Sequence, residues 1–185
     1  PETKDNDFTW KDFQARNNNE LAAIFGNFIN RVVVLTHKYY DGIVPQPNEF
    51  LEVDLQTLNE LNAYPAVISS SIERYRFREA LGELMNLARL GNKYLADEEP
   101  WKMIKTDPER VKTQMYIALQ IASALRVLCE PFLPFTAAKL DAILNQKQHE
   151  RSWNFISESS DLISVGHQIG QGEILTSPMQ LANMM

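Results

Sequence analysis

The chain has 185 residues, with 24 acidic against 18 basic side chains and a net charge of −6. That suits one domain of about 150 residues with an extension, and it excludes a generic cationic surface for gripping phosphates. Its longest aliphatic run, Val32 to Leu35, is far short of the ~20 residues a bilayer demands, and one cysteine with three scattered histidines excludes an internal disulfide and offers no zinc-ligand spacing.

Scarce glycine, 7 residues in all, and the lack of any long apolar–polar alternation predict helices throughout. From about Thr9 to Tyr40, Leu21, Ile24, Phe25, Phe28, Val32, Leu35 and Tyr39 recur at three- and four-residue steps, one buried stripe of a long first helix. Asp41-Gly42 ends it, and Pro45 and Pro47 keep the next stretch irregular. A second helix is expected from Asp54, read as its cap, with Leu55, Leu58 and Leu61 on its inner side and a kink or break at Pro65. A third is expected from Arg76 to about Ala96, burying Phe77, Leu81, Leu84, Met85, Ala88 and Tyr94. Asp107-Pro108-Glu109 is the sharpest start signal: a capping carboxylate, a proline in the first turn and an acid matched to the helix dipole. The helix it opens runs to about Cys129, with alanines that permit close approach. Glu130-Pro131 closes it, and Pro134 opens a last helix to Leu144.

The prediction is therefore an all-α bundle of about five helices over residues 1–145, followed by an irregular tail over 146–185. The tail is polar and glycine-punctuated, yet Trp153, Phe155, Ile156, Leu162 and Ile169 give it enough apolar surface to lie against this bundle, another domain or a neighbouring chain. The charged opening PETKDNDFTW lacks the apolar core of a secretion signal and reads as a cut inside a longer protein. A soluble chain in a reducing compartment, most simply the cytoplasm, with no membrane partner, fits these features.

Catalytic and metal motifs are missing: there is no glycine-rich phosphate cradle, no Gly-x-Ser-x-Gly and no His-Glu-x-x-His. The candidate residues lie elsewhere. Taking 100° per residue, Asn27, Arg31 and Lys38 fall on one flank of the first helix, roughly 60 to 100° from its apolar stripe. Asn27 and Arg31, one turn apart, can address one ligand together, or they form an ordinary polar boundary. Pro100 sets Trp101 on a connection between helices, where its ring serves as a platform for an unstacked base or folds over the bundle end. His37 and Cys129 read as packing residues.

Three segments carry a family resemblance: Asn27-Phe-Ile-Asn-Arg31; Asn92-Lys-Tyr94 with Glu99-Pro100-Trp101; and Pro131-Phe-Leu-Pro134-Phe. In this order they resemble the anticodon-binding helical bundle of methionyl-tRNA synthetases, a class I type. The opening DFTWKDFQARNNNELAAIFGNFINR is similar to the segment that follows their catalytic domain, and the likeness covers roughly residues 7 to 145. It implies that Asn27 and Arg31 bind anticodon bases and that Trp101 stacks on the first of them, the anticodon being CAU. Lys38, Lys93 and Lys102 are candidates for supporting phosphate contacts.

The implied partners are the methionine tRNA and the catalytic domain of the same enzyme, towards which the family's tail returns; the oligomeric state is left open. No cofactor is expected in this chain. ATP, and zinc in the family's insertion, belong to a parent that attaches methionine to its tRNA. Lys102-Met103-Ile104-Lys105 resembles the family's lysine-rich ATP loop but lacks its serine. The rival reading is a helical protein-interaction module without RNA specificity, and the bundles of sibling synthetases share the Pro-Phe-x-Pro element.

Overall fold

A computed structural model describes residues 7–146, 153–158 and 161–170. The order of elements is α1 (Trp10–Arg16), a π-helical stretch (Asn17–Gly26), α2 (Asn27–Tyr40), α3 (Glu52–Glu73), α4 (Phe77–Glu98), α5 (Pro100–Met103), α6 (Pro108–Leu128), α7 (Pro134–Leu144) and α8 (Trp153–Glu158). The first three are continuous and make the long first helix the periodicity predicts. With α3, α4, α6 and α7 they form the expected all-α bundle. Among the described residues β-pairing is limited to one isolated antiparallel bridge, Ile43 with Gln168.

The bundle is built around α6. Val111 and every residue from Thr113 to Leu128 are buried, and the helix packs against α2, α3, α4, α5, α7 and α8. Its buried polar side chains, Gln120 and Ser123 among them, are hydrogen-bonded, and Ala118, Ala122 and Ala124, each fully buried, leave room for its neighbours. Its start follows the sequence: the Asp107 carboxylate accepts from the Arg110 amide at 3.0 Å, and Pro108 takes the first position.

Several expectations need correction. Helix α3 starts at Glu52, so Asp54 sits one turn in and its carboxylate accepts from the Leu51 amide at 2.8 Å. Pro65 does not divide α3. A proline inside a helix costs about 3 kcal/mol, but Thr57, Leu61, Pro65 and Ile68 form one buried stripe along this helix, and tertiary packing outweighs local propensity. Leu55, Phe77 and Leu81 are exposed; on α4 the expected Leu84, Met85, Ala88 and Tyr94 are buried, and Ala80, Leu87, Gly91 and Leu95 join them. Trp101 lies on the four-residue helix α5 rather than on irregular connection, and Trp153–Glu158 in the tail is helical.

The described part of the tail lies against this bundle. Gln120 on α6 accepts from the Leu162 amide at 2.7 Å and donates to the Ile163 carbonyl at 3.0 Å. Residues 166–170 then run past the end of α2: the Val44 amide donates to the His167 carbonyl and the Ile169 amide to the Gly42 carbonyl. His37, read from sequence as packing, also donates from Nε2 to the Gly170 carbonyl at 2.8 Å. Gly42, at φ +79°, lies so close to the His37 and Gln168 side chains that a Cβ there would overlap both.

Candidate nucleic-acid interface

Two helix ends meet to form the site. Along α2, Phe28, Ile29, Val32, Val33 and Thr36 turn inward, which leaves Asn27 exposed and Arg31 half-buried at the edge of that face. At the far end of α4 the chain reverses through Glu99, whose φ of 44° is left-handed. Pro100 is buried and Trp101 half-buried, its ring resting partly on the core. The Arg31 guanidinium carbon stands over that ring, 4.7 Å from its centroid, a cation–π contact worth about 0.5–1 kcal/mol at exposed sites and more when dry.

Arg31 and Trp101, 70 positions apart in the sequence, are therefore in contact, and Asn27 lies one turn before Arg31 on α2. The three lysines are arranged otherwise. Lys38, two turns beyond Arg31, points its ammonium at the Tyr39 ring, 5.5 Å from the centroid. Lys93 pairs with Asp97 at 3.1 Å and Lys102 with Glu99 at 2.7 Å. Exposed pairs of this kind are worth at most about 1 kcal/mol, so an incoming anion can exchange for the carboxylate at little cost.

A buried polar network fixes the turn that carries Trp101, and sequence reasoning missed it. Arg110, in the first turn of α6, donates to both oxygens of Asp54 on α3, one of them at 2.9 Å, and to Glu98 on α4. Tyr94 donates to Asp54 at 2.6 Å. Gln114 donates to the Glu98 carboxylate at 3.0 Å and to its backbone carbonyl at 3.3 Å. Glu98 is thus gripped by side chain and backbone immediately before the reversal at Glu99. The one sequence signal was an arginine in the first turn of a helix, where the dipole favours an acid.

The ionisation of the network follows from its geometry. Burial alone would raise Asp54, but the hydrogen bonds from Arg110, Tyr94 and the Leu51 amide outweigh it and hold the carboxyl below the usual range. Burial pulls Arg110 down, and its bonds to Asp54 and Glu98 drive it the other way, to a net rise. Tyr94 is pushed up by burial and by the proton it gives Asp54. The network is a fixed anchor. Among the described residues, by contrast, Arg31 forms no ion pair.

No group of three or more histidine, cysteine or acidic side chains among the described residues is placed to hold a metal ion. None of the described helices is long and apolar enough to cross a membrane.

Residues 44–182 match the family model for the anticodon binding domain of methionyl tRNA ligase. The chain belongs to this family. As a methionyl tRNA ligase anticodon-binding domain it also carries, over residues 1–33, a match to the class I tRNA synthetase model for methionine. It is 78% identical over 180 residues to a methionine–tRNA ligase of Flavobacterium psychrophilum, covering 97% of the chain and 26% of that protein. A methionine–tRNA ligase of Flavobacterium johnsoniae is 67% identical, with 97% of the chain and 29% of the relative covered. The chain thus spans little more than a quarter of the length of these curated relatives. The apo form of Mycobacterium tuberculosis methionyl-tRNA synthetase has the same fold, with a TM-score of 0.86 at 23% identity over 94% of the chain and 35% of that structure.

Proposed function

We propose that this domain reads the CAU anticodon loop of a methionine tRNA, with Asn27 and Arg31 on base edges and Trp101 as the stacking platform. The observation that supports it is the Arg31–Trp101 contact at 4.7 Å, beside an exposed asparagine one turn away. Single-stranded loops are recognised by splaying bases out, stacking them on aromatic or guanidinium planes and bonding their free edges, and here both kinds of plane adjoin. Cytosine offers an N4 donor with N3 and O2 acceptors, whereas uracil presents an O4 acceptor and an N3 proton. A donor-only guanidinium beside an amide that both donates and accepts favours the first pattern.

Stacking is worth roughly 1–3 kcal/mol per base, enough for an acidic domain to select RNA through a few contacts. Lys38, Lys93 and Lys102 supply local positive potential for the loop's phosphates. ATP-dependent activation of methionine and its transfer to tRNA are assigned to the catalytic part of a longer cytoplasmic enzyme, together with any zinc. This domain meets that part at the exposed aromatic cluster of Phe8, Trp10 and Phe13, whose rings lie 5.1 to 6.3 Å apart within the segment that matches the class I model.

In the intact enzyme, Trp101→Ala is expected to lower tRNA charging about tenfold to a hundredfold and to leave methionine-dependent ATP–pyrophosphate exchange unchanged. Equal loss in both assays rejects the reading. Titration of the chain with a CAU anticodon hairpin and with a one-base variant separates it from a protein-interaction module, which would bind the two alike.

A further inference from the structure

We propose that Asn92 is a positioning residue for base reading, fixing the rotation of the helix that carries Asn27 and Arg31; the inference rests on the function proposed above. Asn92 lies on α4 and is half-buried. Its Nδ2 donates to the Ala88 carbonyl at 3.1 Å within its own helix and to the Ile24 carbonyl at 2.9 Å across to the first helix. Ile24 belongs to the last turn of the π-helical stretch, three residues before Asn27, and the Asn27 amide itself is directed at the Ala22 and Ile24 carbonyls.

This is the point where the first helix changes register. Bonding from i to i+5 widens the turn, so each residue after such a stretch is rotated relative to its place on an uninterrupted α-helix. The bearing of Asn27 and Arg31 therefore depends on where the π stretch gives way to α2, and Asn92 bonds a carbonyl at that junction. Its neighbour Gly91 adds a second constraint: a Cβ at that position would overlap the Phe28 ring, on the first turn of α2. Consecutive residues of α4 thus hold consecutive turns of the first helix, one through a hydrogen bond and one through close approach.

The Asn92 amide is an uneconomical choice for packing alone. Its Oδ1 is buried without a hydrogen-bond partner among the described residues, and an unsatisfied buried acceptor is unfavourable. An apolar side chain of similar size would fill the space without that penalty. What the amide adds is direction. For a helix whose side chains reach roughly 6 Å from the axis, a turn of about 20° displaces a side chain by about 2 Å. Misplacements near 1 Å already cost large factors where recognition depends on alignment. Trp101 is anchored independently, by the Arg110–Glu98 contact, so a rotation of α2 alone would draw Arg31 off the ring.

The test is a mutant cycle on the 185-residue chain, read by titration with a CAU anticodon hairpin and a one-base variant. Asn92→Leu is expected to weaken CAU binding about tenfold and to narrow the gap between the two hairpins. Combined with Asn27→Ala and Arg31→Ala together it should add little to the loss from that pair alone, because Asn92 acts through those two side chains. Additive losses, or full affinity in Asn92→Leu, overturn the proposal. Circular dichroism and thermal unfolding report whether each variant folds. Should Asn92→Leu fail to fold, Asn92→Ser, which keeps one donor, goes through the same cycle, with a smaller loss and the same non-additivity expected. If the unaltered chain binds both hairpins equally, the base-reading function fails and this inference with it. If the chain discriminates and the Asn92 variants behave like it, only the positioning role is lost.

Discussion

Arg31 and Arg110 lie on either side of the same turn and are used in opposite ways. The Arg110 side chain is 9% exposed and is bound to two carboxylates from two helices, so its donors are committed. Arg31 is half-buried, rests on an indole ring and has no ion pair among the described residues, so its donors are available to a ligand. One guanidinium anchors the turn and the other lies on the indole ring that the turn carries. A buried ion pair is weak evidence for stability in itself, but here it orders a reversal that contains no glycine: Glu99 adopts a left-handed φ between two residues held by α6 and by the core.

The contrast makes its largest prediction in unfolding experiments. Arg110→Ala leaves Asp54 and Glu98 without their cation and is expected to cost about 3–5 kcal/mol by urea denaturation. Arg31→Ala should cost about 1 kcal/mol or less, since it removes one boundary contact. Comparable losses from both would break the distinction between a committed anchor and a boundary contact.

A second effect follows acid. Asp54 ionises below the usual carboxylate range in the folded chain, so its contribution is fully present above about pH 4, the unfolded value. It is lost as the pH falls through the lower folded value. Asp54→Asn should flatten that part of the stability–pH curve. An acid limb identical in the two chains would show that the network does not govern it. The smallest effect belongs to Tyr75, which takes a φ of 61° at the end of α3 while its side chain stays 78% exposed. The left-handed conformation costs an L-residue about 1–2 kcal/mol, partly offset in glycine by lost chain entropy. Tyr75→Gly is therefore expected to raise the thermal midpoint by about two degrees. A fall would mean that the ring's edge contact with Phe77, at 6.3 Å, outweighs the backbone strain.

Helix existence was legible in the sequence because apolar spacing, Asp107-Pro108 and Pro134 state it locally. Candidate residues were also nameable: Asn27 and Arg31 stand one turn apart and Trp101 follows a proline, but that spacing fits an ordinary polar boundary equally well, and only the family resemblance suggests anticodon roles for them. What could not be read depends on partners distant along the chain. Pro65 survives because its own stripe is buried. Asp54 looked like a cap because its bond to Arg110, 56 positions away, has no local signature. The flank angle assigned to Asn27 and Arg31 assumed uniform helical rotation, which the π-helical stretch breaks. Residues 161–170 showed no helical period, because apart from the His167 amide on the Ser164 carbonyl their backbone bonds go mostly to α6, α7 and the segment 42–44 that follows α2.

That tail has a consequence for how the chain is made. Its contact between His37 and Gly170 joins residues 133 positions apart, and synthesis proceeds at about 5–20 residues per second. The end of α2 must therefore wait roughly 7 to 27 seconds after leaving the peptidyl transferase centre before its partner Gly170 is even polymerised. During that interval the face of His37 and Gly42 lacks the cover that residues 166–170 provide.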